Sequence, residues 1–194
     1  IACYAEYLPG TDRLWLRGLV GRPDGSLILR AEAEAAAVES RQLGVRVAEQ
    51  LLEQGMAQGY LGMSTDGLPF HYLASEPHTA KRIPTQFASF GEMKRLLKVL
   101  RKHNRVWQTT PIIENRAKAF LYFLFSSGRL FGKTLKTSAL SALEFVLMPG
   151  AYKGFLGFAT LLNSRLLKGN LHFQALGTNF RVWSDGIVSP LYEE

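Results

Sequence analysis

Two short, largely apolar runs, Leu14 to Val20 and Ser26 to Ala31, lie on either side of a turn and predict a pair of strands. Between them, Gly21-Arg22-Pro23-Asp24-Gly25 supplies the fixed φ, the side-chain acceptor and the permissive residue of a tight turn. From Ala33 to Gln54 the pattern becomes helical, with Val38, Leu43, Val45, Val47, Ala48, Leu51 and Leu52 forming a stripe that Gly55 stops. The first 57 residues therefore predict a small ββα module. Residues 58–89 carry glycines and prolines without sustained periodicity, and predict a linker.

A helix is predicted from Phe90 to His103, with Met93, Leu96, Leu97 and Leu100 on one face and cations elsewhere. Thr110 to Ala117 predicts a strand, and the aromatic run Phe120 to Phe125 reads as a core strand or as a tip that stacks on bases. Ser126-Ser127-Gly128 and Gly132 mark the next turn, and Lys133 to Thr137 predicts a returning strand. Ser138 caps a predicted helix from Ala139 to Leu147, which Pro149-Gly150 ends. Asn170 to Leu176 and Phe180 to Trp183 predict a hairpin about Gly177-Thr178-Asn179. The expected class is α+β: an antiparallel sheet with helices packed on one face, spanning residues 90–194 and preceded by the ββα module.

Charge divides the chain. Residues 1–80 hold 6 Lys and Arg against 10 Asp and Glu, whereas residues 81–194 hold 17 against 6. The net charge of +7 thus comes wholly from the later part, and a surface of that kind points to phosphates. The cations expected to neutralise them are Lys94, Arg95, Lys98, Arg101, Lys102, Arg105, Arg116, Lys118, Arg129, Lys133 and Lys136.

Candidate chemistry is sparse. Cys3 is the single cysteine, which excludes an intrachain disulfide and a Cys-based zinc site. His71, His78, His103 and His172 lack ligand spacing and read as surface or hydrogen-bonded interior histidines; no metal or other cofactor is expected. Motifs of the hydrolase, zinc-protease and phosphate-loop kinds are lacking, and Glu92, Glu114, Glu144 and Asp185 lie far apart, so the expectation is a protein that is not an enzyme. Glu144, Pro149, Gly150 and Lys153 interrupt the apolar stretch Ala139 to Leu162, so no membrane span is expected, although an amphipathic face on a membrane complex is an open alternative. The chain opens on Ile1 rather than Met, so an upstream piece is expected to be missing or removed.

Two family resemblances bear on function. Pro111-Ile112-Ile113, Arg116-Ala117-Lys118, Gly128, Gly132-Lys133-Thr134-Leu135-Lys136, Leu143-Glu144-Phe145-Val146-Leu147, Met148-Pro149, Phe155-Leu156-Gly157 and Gly169-Asn170 stand in one order. In that order they resemble the universal large-subunit ribosomal protein five, the L-five family. The resemblance implies a place in the central protuberance of the large subunit, with rRNA as partner. It also implies contact with P-site tRNA through Arg116 to Gly132, and with a small-subunit head protein through Met148 to Asn170. The family's charged segment before Phe155 is here Gly150-Ala151-Tyr152-Lys153-Gly154, a divergence that suggests a mitochondrial ribosome.

Residues 1–57 resemble instead the C-terminal domain of hydroxymethylbilane synthase (porphobilinogen deaminase). The resemblance lies in Tyr4-Ala5-Glu6, Leu14-Trp15-Leu16-Arg17-Gly18-Leu19-Val20, Pro23-Asp24-Gly25-Ser26, Arg30-Ala31-Glu32 and Leu43 through Leu52. That resemblance implies an alternative, a C-terminal fragment of a tetrapyrrole-biosynthesis enzyme. It places the cysteine that carries the family's dipyrromethane group just before Ile1, away from Cys3. The leading expectation is a structural constituent of the large ribosomal subunit, its acidic module contacting neighbouring proteins.

Overall fold

The computed structural model describes residues 2–69, 71–73, 77, 79–110, 112, 116–140 and 150–174. The fold is α+β and divides into two compact units, Ile1–Gly62 with Ser89–Arg105 and Met63–Ala88 with Val106–Glu194. The sequence reading placed its boundaries at 57 and 90; in the structure the basic helix belongs with the N-terminal unit, and the expected linker enters the second.

In the first unit, β1 (Ala2–Tyr7), β2 (Arg13–Gly21) and β3 (Ile28–Ala36) form an antiparallel meander. The Pro-Asp-Gly turn forms as expected: Gly25 takes a φ of 72°, and Asp24 accepts hydrogen bonds from the Ser26 amide and hydroxyl. β1 is an addition, a strand whose every residue is exposed and which therefore has no apolar pattern to read. The predicted helix start at Ala33 is corrected, because residues 33–36 continue β3 and α1 spans Ser40–Ala57. Ala and Glu favour helices, but along β3 they alternate inward and outward. Glu32 and Glu34 face Arg17 and Arg13 of β2 at 3.3 and 3.4 Å, so cross-strand pairing overrides a weak local preference.

The second long helix, α2 (Phe90–Lys102), packs on α1 through Met93, Leu97, Val99 and Leu100. Its start is a capping box: Ser89 Oγ accepts from the Glu92 amide, and the Glu92 carboxylate accepts from the Ser89 amide.

In the second unit, β4 (Gly62–Thr65, entering from the first), β5 (Val106–Thr109), β6 (Lys136–Leu140) and β7 (Leu171–Gln174) form a sheet in that order. β5, β6 and β7 run parallel. Parallel neighbours need long crossovers. α3 (Arg116–Phe123) and the short α4 (Gly128–Phe131) lie in the first crossover, and α5 (Ala151–Leu162) lies in the second. β7 pairs beside β6 in the same direction; the turn and second strand of the expected hairpin, through Phe180 to Trp183, lie outside the described residues.

Three further element readings change. The strand expected from Thr110 to Ala117 is instead β5, which ends at Thr109, followed by the helix α3. The aromatic run and the expected tRNA-facing loop Arg116 to Gly132 are mostly helical. Phe123 and Phe125 are buried, and Phe123 packs edge-on against Phe155 and Phe173. A continuous apolar run fits a buried helix as well as a strand, and only the packing partner decides. Ala139 and Leu140 lie in β6 rather than opening a helix, residues 141–149 lie outside the described residues, and Gly150, at φ 75°, caps the start of α5. Phe123, Ala139, Ala159, Leu162 and Leu171 form a core cluster of this unit.

Candidate functional site

In open sheets with parallel strands, ligand sites collect at the carboxyl ends of the strands, where the chain turns into loops. Here those ends carry a polar cluster. Thr65 closes β4 and Asp66 follows it; Thr109 closes β5 and Thr110 follows it. Thr110 Oγ1 donates to Asp66 Oδ1 at 2.7 Å and accepts from the Gly67 amide at 2.7 Å. Thr85 Oγ1 accepts from the Asp66 amide at 3.0 Å and lies 2.9 Å from the Asp66 carbonyl oxygen. A Cβ on Gly67 would stand 2.8 Å from the Thr110 carbonyl oxygen, so glycine permits the approach of the two strand ends.

Below the cluster the packing is tight and its polar groups are paired. Trp107 is fully buried, and its Nε1 donates to Thr65 Oγ1 at 2.9 Å. Thr65 Oγ1 in turn lies 3.0 Å from Thr109 Oγ1, which donates to the Thr110 carbonyl. A base built of satisfied groups holds the strand ends at fixed spacing.

Above it, His71 Nδ1 lies 2.9 Å from Asp66 Oδ1; the imidazole is 45% exposed and the carboxylate 16%. The contact makes the Nδ1–H tautomer the favoured neutral form, so Nε2 becomes the basic nitrogen. Gln86 is buried, and the two hydrogens of its Nε2 are shared among Asp66 Oδ2 at 3.0 Å, the Leu68 carbonyl at 2.6 Å and the His71 carbonyl at 2.9 Å. Asp66 is the one carboxylate among the described residues of this unit. An oriented imidazole backed by a multiply hydrogen-bonded carboxylate can take and return a proton. Among the described residues, no group of three or more His, Cys, Asp or Glu is placed to hold a metal ion.

Sequence reasoning missed this site because its residues fall in the stretch read as a linker, where His71 was one of four unremarkable histidines. The usable signal was Ser64-Thr65-Asp66-Gly67, a polar turn at a strand end.

The cations singled out in the sequence separate into three groups. Four are engaged within the first unit. Arg95 donates to both oxygens of Glu49 at 2.8 and 2.6 Å, Lys102 lies 3.0 Å from Glu53, Arg105 donates to the Met56 carbonyl at 3.1 Å, and Arg101 is buried. Burial holds the Arg101 guanidinium down to about 10. Lys94 and Lys98 are exposed on α2. In the second unit, Arg129, Lys133 and Lys136 are exposed, and Lys118 Nζ sits 5.6 Å over the Tyr122 ring; the Arg116 side chain lies outside the described residues. Glu49 and Glu53 of α1 thus answer the basic α2, which a count of charges along the chain does not show.

Comparison with known proteins bears on the first unit most directly. Residues 1–53 match the family described as porphobilinogen deaminase, C-terminal domain. An uncharacterized protein of Mycobacterium bovis and two of Mycobacterium tuberculosis are each 31% identical over 198 aligned positions, covering 98% of this chain and 32% of the relative. The chain therefore spans about a third of the length of the curated relatives it matches. No solved structure matches. Nothing in these likenesses points to a ribosomal protein. Cys3 stands exposed on β1, away from the position before Ile1 that the resemblance gives to the cofactor-carrying cysteine, so no described residue is assigned to that group.

Proposed function

We propose that the second unit carries the acid–base part of an enzyme site acting on a small molecule, with His71 as the base and Asp66 as its orienting carboxylate. One observation carries the reading: the 2.9 Å contact between His71 Nδ1 and Asp66 Oδ1 at the carboxyl end of a largely parallel sheet. In this role Nε2 accepts a proton from a water or hydroxyl and returns it to the leaving group. The first unit, similar to the porphobilinogen deaminase C-terminal domain, is then a folded accessory module; this differs from the non-enzymatic expectation drawn from the lack of catalytic motifs and the scattered carboxylates. The test is a panel of p-nitrophenyl esters and p-nitroanilides with the full chain. Turnover should fall by roughly 100-fold or more in His71→Ala and Asp66→Asn and stay unchanged in Lys136→Ala. No turnover, or equal turnover in wild type and His71→Ala, overturns it.

A second reading has its own support. The loops before β6 and β7 meet through backbone bonds from the Gly128 amide to the Lys168 carbonyl at 3.0 Å and from the Arg129 amide to the Leu167 carbonyl at 3.2 Å. They bring Arg129, Lys133, Lys136, Arg165 and Lys168, all exposed, to the amino end of the sheet. We infer a contact surface for structured RNA there. Its extended form is the expected one: rRNA of a mitochondrial large subunit, with P-site tRNA and a head protein as neighbours. Filter binding as a function of salt tests it, and affinity independent of salt removes it.

A further inference from the structure

Gln86 touches both members of the Asp66–His71 pair, and its amide has only one orientation that the surroundings accept. The Arg82 Nε donates to Gln86 Oε1 at 2.7 Å, and a guanidinium has no acceptor to offer. The oxygen must therefore face Arg82, which turns Nε2 toward three acceptors: Asp66 Oδ2, the Leu68 carbonyl and the His71 carbonyl. Two of these belong to the pair itself. One amide nitrogen thus holds the far oxygen of the carboxylate and the backbone of the histidine that faces its near oxygen.

We propose that Gln86 is a positioning residue for the site: it fixes the Asp66 carboxylate and the His71 backbone together, and so selects the Nδ1–H form of the imidazole. The inference rests on the acid–base reading above. Asp66 Oδ1 already takes Thr110 Oγ1, so the carboxylate can rotate about its Cα–Cβ and Cβ–Cγ bonds only if the bond to Oδ2 is released. With Gln86 in place that rotation is blocked, and Oδ1 stays aimed at Nδ1. A glutamate at this position would set a carboxylate against the same three acceptors, whereas methionine keeps the volume and removes both donor and acceptor.

The test is long-range ¹H–¹⁵N spectroscopy of the His71 imidazole in the full chain at neutral pH. Wild type should show the Nδ1-protonated tautomer in large excess. Gln86→Met should give a mixture in which Nε2–H rises severalfold while the protein still melts cooperatively, and Gln86→Asn, which restores an amide on a shorter arm, should recover part of the excess. If Gln86→Met unfolds the second unit, Gln86→Leu serves instead, since it also removes the amide at nearly the same volume and should also mix the tautomers. An unchanged tautomer ratio in folded Gln86→Met or Gln86→Leu overturns the inference. That failure is separate from failure of the acid–base reading, which is decided by the turnover of His71→Ala.

Discussion

Glu92 holds Arg41 through two bonds of 2.6 Å, from Nε to Oε1 and from Nη2 to Oε2, while also closing the capping box with Ser89. One carboxylate thereby fixes the start of α2 and ties it to the start of α1. Arg41 first, then the Ser89 bonds, hold the Glu92 carboxyl down to about 2 against the cost of burial. A carboxyl with a lowered folded pKa contributes stability that is present above its unfolded value and is lost as pH falls through the folded one. Glu92→Gln should therefore lower stability at pH 7 by about 1 kcal/mol, since Arg41 is largely exposed and solvent screens the pair. The gap between the variant and wild type should close between about pH 4 and pH 2. Circular-dichroism melts across that range are the check; a gap independent of pH contradicts the assignment.

Gly67→Ala places a methyl 2.8 Å from the Thr110 carbonyl oxygen and 2.9 Å from Ile112 Cγ1. The carbonyl is backbone and cannot swing aside, so the two strand ends must separate. The expected cost is about 1–3 kcal/mol, with displacement of Asp66 from Thr110. Chemical denaturation gives the first quantity, and loss of the Nδ1–H excess at His71 reports the second.

Leu162 is fully buried on α5 among Phe123, Ala159 and Leu171. Truncation to alanine should leave a cavity that neighbouring aromatics fill only in part, at about 2–5 kcal/mol. The measurement is urea unfolding; a loss below 1 kcal/mol would mean that α5 does not cover the sheet as described.

Arg95 and Lys136 should behave differently under charge reversal. Arg95→Glu sets two carboxylates together where Glu49 now receives two bonds, and should destabilise the first unit. Lys136→Glu changes an exposed residue at the amino end of β6 and should leave stability alone. If RNA binds there, Lys136→Glu should reduce the salt slope of binding by about one contact, and Lys94→Glu, on the other unit, should be the weaker variant. Parallel melting and filter-binding series separate these effects.

Legibility in the sequence followed the range of the forces involved. The Pro-Asp-Gly turn, the amphipathic helices α1 and α2 and the capping Ser89–Glu92 spacing depend on neighbours within a few residues, and they are present in the pattern along the chain. The end of β3 was not, because Ala and Glu at 31–36 gain their alternation only against β2. The aromatic run was equally silent: Phe120 meets Phe155 and Phe158, more than 30 residues away, and that partnership makes it a helix packed on a helix.

By itself, then, the sequence determined the α+β class, the small N-terminal sheet and helix, and the uneven distribution of charge, since composition and short-range periodicity carry all three. Tertiary structure decided which cations are engaged, which strands run parallel and which residues meet. Glu49 and Glu53 reach Arg95 and Lys102 across nearly 50 positions. Thr110 reaches Asp66 across 44 and Gln86 reaches it across 20, joining strand ends and a loop that no local rule connects. Hydrogen bonds of about 3 Å act between atoms rather than between neighbours in the chain, so only the folded path brings their partners within range.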